Sequence, residues 1–271
     1  MSRAAVRGIT IGFDDVGEGP NVLVLVHGHP FNRSMWRPQI AYLRDSGWRV
    51  IISDLRGYGE TTVVPGTTTL DVFAADIAAL LDHLGVRDVV IGGLSMGGQI
   101  VMEFCRLHTA RVRGVLLAAT YPQPETDEGR LSRHAMADRL LREGMHQYAD
   151  EVLPKMLAPR SITALPNVAE HVMDMMRTAS PEGAAAALRG RAERPGYDDT
   201  LASLDVPGLV IVGSEDAYTT QRDAEQMGEL LKHSDLVWLE GIGHMPNLEA
   251  EEAFNLALGQ LLDRVDRIGR S

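Results

Sequence analysis

The sequence predicts an α/β fold: a mostly parallel central sheet flanked by helices, with a helical cap inserted after the sixth core strand. Two patterns carry that expectation. Short β-branched and aliphatic runs alternate with stretches of helical spacing, as in a parallel sheet covered on both faces. Residues 122–204 then break the alternation, holding seven of the thirteen prolines and no convincing strand.

The runs come in order along the chain. Residues 9–13 read as an antiparallel edge hairpin. Residues 22–26 are continuously apolar and end at His27-Gly28, and residues 49–53 end at Asp54. Residues 89–91 lead into Gly92-Gly93, residues 115–119 end at Thr120, and 208–212 with 236–239 complete the series. Between them, Leu70, Phe73, Ile77, Leu80, Leu81 and Leu84 fall on one helical face, with Thr69 placed as the N-cap. Ile100, Phe104 and Leu107 share a face, as do Phe254, Leu258, Leu261, Leu262 and Val265. The core is therefore expected in two parts, 1–121 and 205–271, with the cap at 122–204 between them. Six of the twelve methionines lie in that cap: Met136, Met145, Met156, Met173, Met175 and Met176. They either pack the cap onto the core or line an adaptable apolar pocket, since thioethers fit irregular shapes.

A length of 271 residues suits one sizeable domain, or one domain carrying an insertion, rather than two independent enzymes. The mix of 45% apolar and 23% charged residues is that of a soluble globular protein. A formal charge of −11 disfavours nucleic acid or an anionic membrane as partner, because both need clustered Lys and Arg. No run approaches the roughly 20 apolar residues of a membrane span. Residues 1–7 do not resemble a secretory signal, and the lone Cys105 offers neither an internal disulfide nor a metal cluster. A cytoplasmic location and a small-molecule substrate are the expectations, with the oligomeric state left open.

Gly93-Leu94-Ser95-Met96-Gly97 matches G-x-S-x-G, between a buried strand and an amphipathic helix. Such a turn holds the serine in a strained backbone and sets its hydroxyl at the positive end of the following helix. The bland alternative is a glycine-rich turn with an idle serine. The turn lacks both the P-loop lysine and the dinucleotide spacing, and nothing else calls for a metal, nucleotide or flavin.

A nucleophilic serine needs a base, and the base an orienting acid. After the run 208–212 come Glu215 and Asp216, two carboxylates on the sheet edge where parallel α/β proteins build sites. One of them can instead be a helix N-terminal acid, a role that fits Glu215. After 236–239 come Gly241, Gly243, His244 and Pro246, glycines that let a loop carry the imidazole and a proline suited to the first turn of the last helix. His83, His108 and His233 sit near predicted helix ends, where histidine is commonly a capping or solvated residue.

Attack on a carbonyl makes an oxyanion that needs preorganised donors. The residue after the nucleophile, Met96, supplies one backbone N–H. The loop His27-Gly28-His29-Pro30-Phe31 supplies the other; Pro30 has no N–H, which leaves His29. His27 is expected to brace this loop. The His29-Pro30 bond can be cis or trans on sequence grounds.

His27-Gly28-His29-Pro30, Asp54-Leu55-Arg56-Gly57-Tyr58-Gly59, Gly93-Leu94-Ser95-Met96-Gly97-Gly98, Gly213-Ser214-Glu215-Asp216 and Gly243-His244 occur in the order seen in the α/β-hydrolase superfamily. The chain resembles its small bacterial carboxylesterases, 3-oxoadipate enol-lactonase-type hydrolases and cofactor-free perhydrolases. The resemblance implies a triad of Ser95, Asp216 and His244, oxyanion donors at His29 and Met96, no cofactor, and a lid formed by the insertion. Relatives that are haloalkane dehalogenases or epoxide hydrolases carry aspartate where this chain has Ser95, which disfavours them. The expected activity is hydrolysis of a small or medium ester or lactone through an acyl-enzyme. Lyase, perhydrolase or acyl-transfer chemistry and a ligand receptor on a hydrolase scaffold are the alternatives. Besides the cap, Phe31, Tyr121 and Met245 are expected to line the substrate pocket.

Overall fold

The computed structural model describes residues 2–269. Its eight strands form one sheet in the order β1-β2-β4-β3-β5-β6-β7-β8. They are β1 (Ser2–Val6), β2 (Ile9–Val16), β3 (Asn21–Val26), β4 (Trp48–Ser53), β5 (Val89–Leu94), β6 (Val112–Ala118), β7 (Gly208–Gly213) and β8 (Ser234–Leu239). β1 and β2 form an antiparallel hairpin, β2 joins β4 antiparallel, and every other pairing is parallel. The hairpin expected at 9–13 is thus real, but its outer strand, β1, lies in a segment the sequence reading left without structure.

Side chains alternate across the sheet, so β3 feeds both cores. Leu23 and Leu25 face one side, with Trp36, Phe254 and Leu258. Val22, Val24 and Val26 face the other, with Phe73, Ile77, Ile100 and Phe104. The first side is covered by α1 (Arg37–Leu43) and α11 (Glu251–Gly269), the second by α2 (Leu70–His83), α3 (Met96–Leu107) and α10 (Gln221–Leu230). Each fully buried Phe or Leu contributes about 1.5–3 kcal/mol relative to an exposed one. Leu107 departs from the expected face and lies 42% exposed in the last turn of α3. Thr69 does occupy the N-cap of α2, although its hydroxyl makes no capping hydrogen bond.

Between β6 and β7 the chain forms six helices: α4 (Asp127–Glu143), α5 (His146–Met156), α6 (Pro159–Ala164), α7 (Pro166–Thr178), α8 (Pro181–Arg191) and α9 (Asp198–Ser203). Three of the prolines open helices, at Pro159, Pro166 and Pro181, where the missing N–H is no loss. The methionines divide between the two readings. Met145, Met175 and Met176 are buried in the apolar core, while Met136 and Met156 face a cavity. Among the described residues no helix is long and apolar enough to cross a membrane.

The chain goes from β3 to its neighbour β4 on one side and then returns to β5 on the other, so the strand order reverses between β3 and β5. Open α/β sheets bind ligands outside the carboxyl ends of strands at such a point. The loops after β3, β5, β7 and β8 all emerge on that edge, carrying His29, Ser95, Asp216 and His244 respectively.

Candidate active site

Ser95 is the N-cap of α3, with φ 57° and ψ −119°, a conformation L residues rarely adopt. Strain of this kind costs about 1–3 kcal/mol and persists only where the surroundings enforce it. Here they do. Ser95 N–H donates to Ala118 O at 2.9 Å, and the Thr120 hydroxyl donates to Ser95 O at 2.8 Å. Gly97 lets α3 press against β3: a Cβ there would lie 2.2 Å from Val26 O.

His244 Nδ1 lies 2.9 and 3.0 Å from the two oxygens of Asp216, and both side chains are almost wholly buried. The carboxylate also accepts the Tyr218 amide at 2.8 Å and the Thr219 amide at 3.2 Å. Burial opposes ionisation of Asp216, but its pairing with the His244 ring and the hydrogen bonds from the two amides outweigh it and hold the carboxyl below its ordinary range. With Nδ1–H directed at Asp216, the Nε2 lone pair is left for a second partner. Ser95 and His244 line the same cavity. The Tyr218 ring packs over the imidazole, centroids 4.8 Å apart.

Glu215, the rival acid, is exposed and makes no approach to His244. It is not a helix N-terminal acid either. α10 is capped by Thr220, whose capping box uses Asp223.

The loop after β3 is fixed from beneath. His27 Nδ1–H donates to Gly28 O at 2.8 Å while its Nε2 accepts the Leu55 amide at 2.9 Å, which fixes one neutral tautomer. His29 follows, joined to Pro30 by a cis peptide bond. Its Nδ1 meets the Tyr58 hydroxyl at 2.7 Å, and its Nε2 is buried without a partner. Arg33 N–H donates to Asp54 Oδ1 at 2.8 Å, and the Arg33 guanidinium also pairs with Asp54, Asp14 and Glu60. Met96 is the first residue of α3, a position whose amide has no intrahelical acceptor. His29 thus stands just past the end of β3, and Met96 directly after Ser95 at the end of the neighbouring β5.

The cavity encloses about 290 Å³ and includes Ser95, His29, His244 and Tyr121 in its wall. Phe31 and Met245, expected to line it, do not. Both side chains are fully buried in the apolar core, turned away from the loop face that their neighbours His29 and His244 present. The wall also contains residues that sequence reasoning missed: Gln99, Arg133, Tyr148, Lys155, Arg191 and Tyr218. The one available signal was the cluster Arg189, Arg191 and Arg194 following an alanine run in an otherwise acidic chain. Among the described residues, no group of three His, Cys, Asp or Glu side chains is arranged to hold a metal ion.

A family model described as the alpha/beta hydrolase family matches residues 23–257. The chain belongs to the alpha/beta hydrolase family. Among curated members, 3-oxoadipate enol-lactonase 2 of Acinetobacter baylyi is 31% identical over 237 residues, covering 86% of this chain and 85% of its own. A non-heme haloperoxidase of Rhodococcus erythropolis is 29% identical over 253 residues, covering 89% and 91% respectively. A malate-bound thermophilic esterase from Thermogutta terrifontis superposes with a TM-score of 0.94 at 37% identity, over 98% of this chain and 99% of that one. The α/β-hydrolase fold expected from the motif order is therefore the fold observed.

Proposed function

We propose that this hydrolase cleaves a small or medium carboxylic ester or lactone through a Ser95–His244–Asp216 triad and an acyl-enzyme. The observation that carries the reading is the bidentate approach of Asp216 to His244 Nδ1, beside a strained Ser95 in the same cavity. Esterase and lactonase relatives support the substrate class.

In this reading His244 Nε2 takes the Ser95 proton as Oγ attacks the carbonyl carbon. The Met96 and His29 backbone N–H groups receive the oxyanion, and each such donor is worth about 3–4 kcal/mol in the transition state. His244 then passes the proton to the leaving alkoxide, leaving an acyl-Ser95. Water, deprotonated by the same imidazole, releases the acid and restores the serine. Asp216 keeps Nδ1 protonated and stabilises the imidazolium between the two transfers.

Ser95→Ala is expected to abolish p-nitrophenyl acetate turnover while leaving circular dichroism and thermal unfolding intact. Undiminished turnover in that variant overturns the reading. The haloperoxidase relative favours a second use of the same acyl-enzyme, peroxide replacing water in the second step. Peracid formation from acetate and hydrogen peroxide distinguishes it.

A further inference from the structure

The chain carries 26 basic residues against 37 acidic ones, yet its cavity is lined by Arg133, Lys155 and Arg191 and by no carboxylate. Arg191 is the unusual member. It is 8% exposed, and its Nε donates to Gln99 Oε1 at 3.0 Å. Among the described residues no carboxylate forms a salt bridge with it, and it forms part of the cavity wall. A buried guanidinium without a counter-ion is costly, and one partner of opposite charge is what such a site lacks.

The neighbouring cations are held by one acid, which faces away from the cavity. Arg133 pairs through Nε with Glu125, and Arg194 Nη1 lies 3.7 Å from the same carboxylate. The Arg194 guanidinium lies over the Tyr121 ring at 4.9 Å. Three guanidinium groups thus share the single Glu125 charge around one end of the cavity. Their field is visible in Arg191 itself, pulled down to about 9 by burial and then by Arg133. It is visible too in Tyr121, whose hydroxyl falls below its ordinary range despite burial, under Arg191, Arg194 and Arg133.

We propose that the cavity takes an ester or lactone bearing a free carboxylate, seated on the Arg191 and Arg133 guanidinium groups. A planar guanidinium fork matches a carboxylate in two parallel hydrogen bonds. Gln99, which anchors Arg191, follows Ser95 by one turn of α3, and its N–H donates to Ser95 O at 3.2 Å. One helical turn is about 5.4 Å, so the charge and the scissile carbonyl are separated by a short chain of a few carbons. A cavity of about 290 Å³ accommodates an acyl group of that length. This rests on Ser95 being the nucleophile.

The test compares kcat/KM for p-nitrophenyl hemiglutarate with that for p-nitrophenyl valerate, its near-isosteric neutral counterpart. The half-ester is expected to be preferred, with the preference falling about 100-fold in Arg191→Met and less in Arg133→Gln, as loss of charge-assisted hydrogen bonds implies. Arg191→Lys retains part of it, and carries the test with Arg133→Gln where Arg191→Met does not fold. A wild-type preference for the neutral ester, or a ratio unchanged in these variants, overturns the proposal. Calorimetry of glutarate binding to Ser95→Ala, with inorganic phosphate as comparator, needs no turnover. Arg191-dependent glutarate binding without hydrolysis of either ester supports the carboxylate seat and sinks the Ser95 reading. No glutarate binding, or tighter binding of phosphate, sinks the carboxylate seat while leaving hydrolysis of neutral esters standing.

Discussion

Glu249 holds the segment around His244 without touching the imidazole. Its Oε2 accepts the Gly243 amide at 3.1 Å and its Oε1 the Met245 amide at 3.2 Å, so one buried carboxylate grips both flanks of the histidine. Oε2 also accepts the Ala158 amide at 2.9 Å, tying the His244 loop to the helical insertion. In Glu249→Gln one acceptor becomes a donor facing an N–H. The expected result is a stability loss of about 2 kcal/mol and a fall in kcat of about 10- to 100-fold, because sub-ångström displacement of a base is costly. Urea titration and steady-state kinetics measure the two effects. A variant with full activity shows that the loop is held by other contacts.

In the proposed triad Asp216 is itself held fixed. Its carboxylate meets Nδ1 with both oxygens, and the Tyr218 and Thr219 amides lock it in place. Asp216→Asn preserves shape but offers Nδ1 an N–H, turning the imidazole to the wrong tautomer. A loss of about 10⁴ in kcat is expected, with KM little changed. Asp216→Glu tests whether reach matters, and Glu215→Gln is expected to leave kcat within twofold. A large effect at Glu215 with none at Asp216 reverses the assignment.

What sequence could and could not disclose follows from where each partner lies along the chain. The strands at 22–26 and 89–91 were legible because strands buried on both faces must be continuously apolar. Ser-Arg-Ala-Ala-Val of β1 has no such signature, since an edge strand buries one face and here little more than Ala4. Ser95, Asp216 and His244 announced themselves because each stands just past a strand, in a glycine-bearing turn. Glu249 and Arg191 did not. The contacts that give them their roles cross long stretches of chain, Glu249 to the Ala158 amide at a separation of 91 and Arg191 to Gln99 at 92, and the amides of Gly243 and Met245 that Glu249 also holds carry no residue-type signature. Phe31 and Met245 misled because adjacency in sequence to His29 and His244 does not carry over to the direction of a side chain in a tight loop.

Two buried histidines make stability sensitive to mild acid. His27 is depressed below its ordinary 6.5 by burial, against the pull of Asp54. His29 is depressed well below it by burial, then by Arg191 and Arg133. The unfolded chain protonates both near 6.5 while the folded chain does not. Stability is therefore complete above that pH and declines as pH drops below it towards the folded values, with a slope approaching about 1.4 kcal/mol per pH unit for each histidine. His108 and His171 are shifted in the same direction and add to the trend. Asp216 and Glu125, both depressed carboxyls, act in a lower window, below the ordinary carboxylate range near 4. Urea midpoints at pH 8, 6.5 and 5 follow the histidine window, and a further point at about pH 3 samples the carboxyl window. His27→Gln, which can donate to Gly28 O and accept from Leu55, is expected to flatten the upper one. An unchanged midpoint between pH 8 and 5 contradicts the neutral assignment.

Gly183 fixes how closely α8 rides on the loop between β4 and α2. A Cβ built there would stand 1.9 Å from Gly57 O and 2.8 Å from Gly57 Cα, backbone atoms that cannot move aside as a side chain can. Gly57 is itself at φ +85°, in the loop that carries Tyr58 to His29. Gly183→Ala must therefore lift α8 off the core. Overpacking of this kind costs about 1–3 kcal/mol. The displacement also reaches the site, because the same helix carries Leu188 and Arg191 into the cavity wall. The expected phenotype is a lowered Tm together with a weakened preference for the anionic half-ester over its neutral counterpart. A surface alanine substitution such as Arg130→Ala in α4, whose guanidinium caps the carbonyl of Ala192, is the control. It loosens the end of α8 without wedging it away, so it is expected to lower Tm while sparing the substrate preference. Equal loss of preference in both variants shows that Arg191 responds to any loosening of α8 rather than to its separation from Gly57.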